Sequence, residues 1–421
     1  MDDLLFLAQR CPYPPNKGDK ITTWKILNHL LKTYRVHLGT FIDDPDDWQY
    51  EAFLRERCAS LMLRPIGRAA GLARSTLGLL TGEALSVAYY RDPQMQRWAS
   101  SVIRGGVSHV FVYSSAMAQF VVADGSISRV MHFADIDSDK WRQYAKVSRW
   151  PMSWVYAREA ENLLTWERRI AASFDRSWFV SDAEAADFRR MAPESKARVG
   201  TLSNGVDGDY FAPGSDFPNP WGDDLQRLVF TGAMDYRPNV DAVVWFAREV
   251  LPLLRQRSGD VRFCIVGSRP GPEVLVLAED PAVQVTGRVD DVRPYMAHAA
   301  CIVAPLRIAR GIQNKVLEGM AMGKTVVCSP QGLEGIDAEP GRTLLVAAEP
   351  SEFVEACQSV LTRRVDLGAA ARACMLARYD WGACLAVLDT AFPTAPSLDS
   401  ARPVLPEARL SAASTLDPTH H

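Results

Sequence analysis

Along the first 205 residues, apolar positions come as short unbroken runs separated by stretches of helical spacing. Leu4 to Ala8 is continuous and apolar, as expected of a strand buried on both faces. Ile21 to Leu31 carries a helical pattern, and Val36 to Phe41 reads as a second strand. Strand, loop, helix, strand is the opening of a doubly wound α/β domain, in which ligands sit outside the carboxyl ends of the strands. Val107 to Tyr113 and Arg129 to Ala134 read as further strands. Ser153 to Phe174 reads as a long helix and Trp178 to Val180 as a strand, with Ser181 or Asp182 capping the next helix. A sharp turn is expected at Asn204 to Asp207, and Pro213 to Asp224 has the Pro, Gly and Asp content of a linker.

The rhythm then repeats. Leu228 to Thr231 ends at Gly232, Phe263 to Val266 at Gly267, and Val283 to Thr286 at Gly287. Cys301 to Ala304 and Thr325 to Cys328 complete the strands, and Val240 to Leu254 reads as a helix among them. A strand that stops at glycine leaves room for backbone to approach a bound molecule. Pro350 to Phe392 is helical in pattern, and the Pro-, Ser- and Ala-rich stretch after it reads as disordered.

Between the last two strands, residues 305–323 predict a loop running into a short helix. Val316, Leu317, Met320 and Ala321 share one face, Lys315 and Glu318 another, with Asn314 as the N-cap and Gly323 as the stop. Gly311 permits close approach, and Arg307, Arg310 and Lys315 add charge where the helix dipole is already positive. That combination suits an anion, most naturally a phosphate. The bland alternative is a surface helix in which Lys315 and Glu318 pair with each other.

Composition narrows the class. With 421 residues, two domains are the natural prior. The formal charge of −3 argues against a global nucleic-acid footprint. Eight cysteines with no CxxC pair read as reduced, buried small hydrophobes of a cytoplasmic protein rather than a disulfide or zinc framework. The first residues are too acidic for a signal peptide, and no apolar run reaches transmembrane length. Residues 61–80 mix apolar side chains with Arg64, Arg68 and Arg74 and contain no acid. Such a stretch either touches an anionic membrane face or packs as an ordinary helix on the sheet, the second being preferred. His132 to Trp141 contains Asp135, Asp137 and Asp139 but lacks calcium-loop spacing, so no metal is expected. Ser138 and Asp139 suggest a helix cap there.

Four segments in this order carry a resemblance: Ser203-Asn204-Gly205-Val206-Asp207, Phe230-Thr231-Gly232 with Pro238-Asn239, Val285 to Val292, and above all Lys315-Val316-Leu317-Glu318-Gly319-Met320-Ala321-Met322-Gly323-Lys324. With them the chain resembles the GT-B glycosyltransferases of family 4, which are retaining and use nucleotide sugars. The runs at 14–18 and 135–141 resemble a narrower clade that accompanies exopolysaccharide loci of the exosortase/PEP-CTERM type. The resemblance implies two facing Rossmann-like domains with a cleft between them. It divides the chain into an acceptor domain at 1–205, a linker at 206–224, a donor-nucleotide domain at 225–368, bracing helices at 369–392 and a tail at 393–421.

The resemblance also implies site roles. Glu318 binds the donor ribose, and Gly311, Ile312 and Gln313 present backbone amides to sugar or phosphates. Arg288 and Val289 hold the base, Gly232 and Gly267 allow close approach, and the Gly18 loop closes over the diphosphate. Two positions depart from the family pattern. Arg310 stands where a first motif glutamate is expected, which favours an anionic donor group or the phosphates. The usual basic pair after Gly232 is absent, which shifts diphosphate neutralisation to Arg237, Arg307 and Lys315. Asp135 is the first candidate catalytic residue and His132 the second. The expected function is sugar transfer to a lipid-linked saccharide, without metal or cofactor, by a cytoplasmic protein that is at most peripheral at the membrane. A nucleotide-sugar 2-epimerase and a catalytically silent GT-B subunit are the rival readings.

Overall fold

The computed structural model describes residues 1–121, 127–214, 216–222, 225–309 and 311–392. They form two parallel sheets. The first holds β1 (Asp3–Ala8), β2 (Arg35–Ile42), β3 (Ser60–Pro65), β4 (His109–Tyr113), β5 (Ser128–Ala134), β6 (Arg176–Phe179) and β7 (Val199–Thr201), in the order β3-β2-β1-β4-β5-β6-β7. The second holds β8 (Arg227–Thr231), β9 (Arg262–Val266), β10 (Val283–Gly287), β11 (Cys301–Ala304), β12 (Val326–Cys328) and β13 (Leu345–Val346), in the order β10-β9-β8-β11-β12-β13. Each is a Rossmann-like order that reverses beside its first strand, at β1/β4 and at β8/β11. A crevice opens at such a switch point.

Both faces of each sheet are covered, which explains apolar runs without alternation. Successive β1 residues go to opposite cores. Leu5 and Leu7 join Met95 and Phe133, while Leu4, Phe6 and Ala8 join Ile26, Leu30 and Trp381. The second sheet likewise separates a core around Phe230, Phe246 and Phe353 from one around Val229, Leu317 and Met320.

Several expectations change. Residues 61–80 are not one amphipathic stretch. Leu61 to Pro65 belong to β3, paired to β2, and a separate helix spans Arg68–Thr81. Arg64 pairs with Asp92 at 3.0 Å, and Arg74 donates to the Tyr89 carbonyl at 3.0 Å. Two of the three arginines that suggested a membrane contact therefore bond within the protein. Asn204 to Asp207 make no sharp turn. The chain runs extended there, Val206 bridging in parallel to Asp380 and its N–H donating to the Tyr379 carbonyl at 2.7 Å. Asn314 is the first residue of its helix (Asn314–Ala321) rather than its cap, and the Gln313 side chain makes no capping bond. Ser138 is no cap either: it lies inside the helix Asp137–Val147, buried against Glu167.

The chain passes between the domains twice, side by side, at 204–207 and 379–381. The helix Gly368–Arg378 stays with the second domain, where Ala371 and Met375 pack with Leu317 and Met320. Beyond the crossing, Trp381, Leu385, Leu388 and Phe392 enter the core of the first. The tail at 393–421 lies outside the described residues.

Candidate active site

A cleft of about 860 Å³ opens at the switch point of the second sheet. Four strand ends supply its walls: Gly232 and Ala233 after β8, Gly267, Ser268 and Arg269 after β9, Arg288 and Val289 after β10, and Ile312, Lys315 and Glu318 after β11. Phe211, on the segment between the domains, also lines it.

Glycine is required at its floor. Gly232 has φ +154°, and its N–H donates to the Val266 carbonyl at 3.0 Å. A Cβ at Gly267 would fall 1.6 Å from the Gly232 carbonyl oxygen, so the two strand ends touch backbone to backbone. Asn239 braces the turn from below, donating to the Ala233 carbonyl at 2.9 Å. These bonds fix the two strand ends side by side at the floor of the cleft.

The helix Asn314–Ala321 buries Val316, Leu317, Met320 and Ala321, which turns Lys315 and Glu318 toward the cleft. No hydrogen bond or ion pair from a described residue engages the Glu318 carboxylate. Burial pushes its pKa up to about 6, against the opposing charge of Lys315. Burial lowers the Lys315 pKa, with Glu318 acting the other way, and its ammonium lies 5.5 Å from the centre of the Phe230 ring. The two side chains feel each other's charge but form no ion pair, so the surface-pair alternative fails. Gly311 has φ +65°, and its carbonyl accepts from the Gln313 side chain at 3.1 Å, which shapes the loop before the helix. Arg310 lies outside the described residues.

Arg237 and Arg307 do not join Lys315. Both line a neighbouring recess of about 780 Å³, where Arg307 is clamped to Asp241. Cations that do reach the cleft are Lys315, Arg288 and Arg269, the last with φ +56° and paired to Asp235 at 3.1 Å. Arg269 and Ser268 went unnoticed in the sequence, although the strand-ending Gly267 directly before them was the available signal. Phe211 gave none.

In the first domain, Gly18 opens the helix Gly18–Leu30 and lies outside this cleft. At the end of β5 the register slips and Ala134 takes φ +67°. A β-bulge and a left-handed non-glycine residue together re-aim the side chain that follows, which is Asp135. Its carboxylate meets Lys140 at 2.5 Å and stays about two-fifths exposed. Lys140 also reaches Asp137 at 3.3 Å. Glu184 nearby has its pKa raised to about 7 by burial, with the Asp135 charge adding to it. His132 has no free ring nitrogen. The Ala134 N–H donates to Nδ1 at 3.0 Å, so Nε2 carries the proton and donates to the Leu202 carbonyl at 3.1 Å. Complete burial lowers its pKa to about 4. His132 is therefore a neutral strut that holds β5 to the segment after β7, and the catalytic role assigned to it is withdrawn. Among the described residues, no cluster of three His, Cys, Asp or Glu side chains could hold a metal ion.

Residues 226–363 match the family model described as glycosyl transferases group 1. No curated protein matches the chain in sequence. Solved structures match its fold over nearly its whole length. Sucrose-phosphate synthase from Thermosynechococcus elongatus is 16% identical with TM-score 0.62, over 93% of this chain and 98% of that one. Anabaena Alr3699/HepE in complex with UDP is 14% identical with TM-score 0.62, over 93% and 99%. The same Anabaena protein with UDP-glucose is 15% identical with TM-score 0.59, over 92% and 98%. Two Rossmann-like sheets in one chain with these neighbours constitute the GT-B fold.

Proposed function

We propose that this chain, a group 1 glycosyltransferase of GT-B fold, moves a sugar from a nucleoside-diphosphate donor to a lipid-linked saccharide, with retention, in building a cell-surface polysaccharide. One observation carries the donor reading. The cleft at the switch point of the second sheet presents a half-buried carboxylate, Glu318, without a partner among the described residues, beside Lys315, a cation likewise unpaired among them. A carboxylate accepts two hydroxyl hydrogen bonds at once, which suits the vicinal hydroxyls of a ribose. Lys315, Arg288 and Arg269, with the N-terminus of the 314–321 helix, suit a diphosphate and oppose the charge that develops as it leaves. Backbone at Gly232 and Gly267 lies against the phosphates in this reading, and Arg288 and Val289 flank the base.

The acceptor enters from the first domain, where Asp135 orients or deprotonates the attacking hydroxyl and the Gly18 loop closes over the diphosphate. The choice of uridine as base follows the neighbour solved with UDP and UDP-glucose. The lipid-linked acceptor and the polysaccharide setting rest on the motif resemblance at 14–18 and 135–141.

Calorimetry with UDP and UDP-glucose tests the donor site. Wild-type chain should bind both, and Glu318→Ala should weaken UDP-glucose by about tenfold or more, the worth of one charge-assisted hydrogen bond or two. Equal affinity in that variant sinks the assignment of Glu318. Conversion of donor without any acceptor would instead identify an epimerase, and binding without turnover a silent subunit.

A further inference from the structure

We infer that the hairpin of helices Asp137–Val147 and Met152–Ser173 docks the protein onto an anionic lipid bilayer. Within the stretch that the sequence singled out for this role, 61–80, Leu61 to Pro65 lie in β3, and Arg64 and Arg74 are held by internal bonds. A different surface has the required chemistry. Trp150 is 82% exposed, Trp154 58%, Tyr144 53% and Met152 44%, all at or near the tip where the two helices meet. Four large apolar side chains within eleven residues of one another form a concentration that a surface facing only water does not need. Tryptophan and tyrosine are also the side chains that favour the headgroup layer, because their rings are apolar and their edges donate hydrogen bonds.

Charge makes the occupant a lipid surface rather than an apolar protein groove. From residue 140 to 158 the chain carries five cations and no acid. Lys140 and Arg142 pair with Asp135, Asp137 and Asp139, and Arg158 with backbone carbonyls, which leaves Lys146 and Arg149 to meet a surface. Lys146 and Arg149, flanking the exposed aromatics, are exposed themselves and have no ion pair among the described residues. Between the helices lies a shallow recess of about 550 Å³, lined by Arg142, Lys146, Ser153, Trp154 and Ala157, with Glu161 as its one acid. A basic rim around exposed indoles, with room for a chain or headgroup between, matches an anionic interface.

The hairpin is also tied to the rest of the protein at the right place. The Arg158 guanidinium donates to the carbonyls of Gly78 at 2.7 Å and Glu83 at 3.2 Å. It thereby fastens the end of the helix Arg68–Thr81, itself free of acids and presenting Leu72 at 64% exposure. The hairpin springs directly from Asp135, which sits at its base, a helix length of roughly 16 Å from the exposed tip. Docking itself requires no turnover and stands apart from the proposed transfer reaction.

Sedimentation of the full chain with vesicles tests the inference, without donor or acceptor. Wild type should pellet with phosphatidylglycerol–phosphatidylcholine vesicles and not with phosphatidylcholine alone, and its tryptophan emission should shift to the blue. The double variant Trp150→Ser, Trp154→Ser and the double variant Lys146→Glu, Arg149→Glu should each lose at least about tenfold in vesicle partitioning. A wild-type circular-dichroism spectrum, with resistance of residues 1–200 to limited proteolysis unchanged from wild type, would show that both variants remain folded. Wild type that ignores anionic vesicles, or folded variants that bind like wild type, overturns the inference. So does a light-scattering mass that falls from dimer to monomer in the tryptophan variant while vesicles are ignored, since that would make the surface a contact between copies.

Discussion

At the scale of single residues, Glu318 and Gly267 are the positions where chemistry and geometry leave least freedom. Glu318 must be ionised to accept ribose hydroxyls as a carboxylate, and burial holds its pKa at about 6. Donor affinity should therefore be full above that pH and fall as pH drops through about 6, by roughly tenfold per unit at the steep end. Calorimetry from pH 5 to 8 (roughly the range a folded chain tolerates) measures it, and Glu318→Gln should flatten the profile at low affinity. Gly267→Ala should be worse than an ordinary surface substitution, because its Cβ must displace the Gly232 carbonyl from 1.6 Å. A stability loss of about 1–3 kcal/mol, with UDP binding reduced, is expected. A thermal melt and a UDP titration that both match wild type would show that the two strand ends do not need backbone contact. The glutamate was legible in the sequence because its neighbours Val316, Leu317 and Met320 fix which way the helix turns. Arg307 was misread for the opposite reason: a charge placed by sequence near a loop carries no record of the partner, here Asp241, that turns it away.

At the scale of elements, hydrophobic runs identified most strands, the edge strand β10 among them, and missed β3, β7 and β13. β7 and β13, of three and two residues at the edges of their sheets, are too short to show a period. The extended segment at 204–207 reads locally as a turn because of Asn204-Gly205, and only a partner more than 170 positions away straightens it. Nor does helical spacing reveal why the long helix Met152–Ser173 turns two acids inward. Glu159 accepts from the N–H groups of Leu85 and Ser86 at 2.6 and 2.9 Å, closing the start of the helix Leu85–Tyr89. Glu167 accepts from the Ser138 N–H at 3.2 Å and meets its hydroxyl at 2.5 Å, so this one helix pins the first turns of two others. Burial raises the Glu167 pKa from 4.5 to about 8, Ser138 opposing it. A native state that keeps a proton which the unfolded chain releases is favoured at low pH. The stability this contributes is complete below about pH 4.5 and drains away as pH rises to about 8. Glu167→Gln, which keeps the shape and cannot ionise, should remove that slope. At pH 8.5, roughly half a unit above the titration, it should melt at a higher temperature than wild type, its unfolding free energy greater by on the order of a few kcal/mol. Parallel melting curves for the two proteins across that window would show that Glu167 is charged in the fold.

At the scale of the whole molecule, the two sheets are joined by a closure that uses the far end of the chain. Trp381, Leu385, Leu388 and Phe392 are all at least nine-tenths buried, and they pack with Leu4, Leu27 and Trp178 of the first domain. His29 and Asp389 add a contact at 2.8 Å across the same seam. Four such side chains, each worth about 1.5–3 kcal/mol on burial, approach the entire net stability of an ordinary domain, about 5–15 kcal/mol. The first domain is thus incomplete without residues that follow the second in sequence. Ending the chain after Asp380 should leave the second domain's cores untouched, since Ala371, Met375 and Tyr379 remain. Limited proteolysis should then find cleavage spreading through residues 1–200 while 225–368 resists, and UDP should still raise the surviving thermal transition. If the shortened chain keeps one cooperative melt at the wild-type temperature, the seam carries little of the first domain's stability. The consequence for function is mechanical: whatever moves the two domains must bend both crossings together, at 204–207 and at 379–381, because Val206 and Tyr379 are hydrogen-bonded at 2.7 Å. The single bridge between Val206 and Asp380 thus couples the two crossings, so neither can bend without the other.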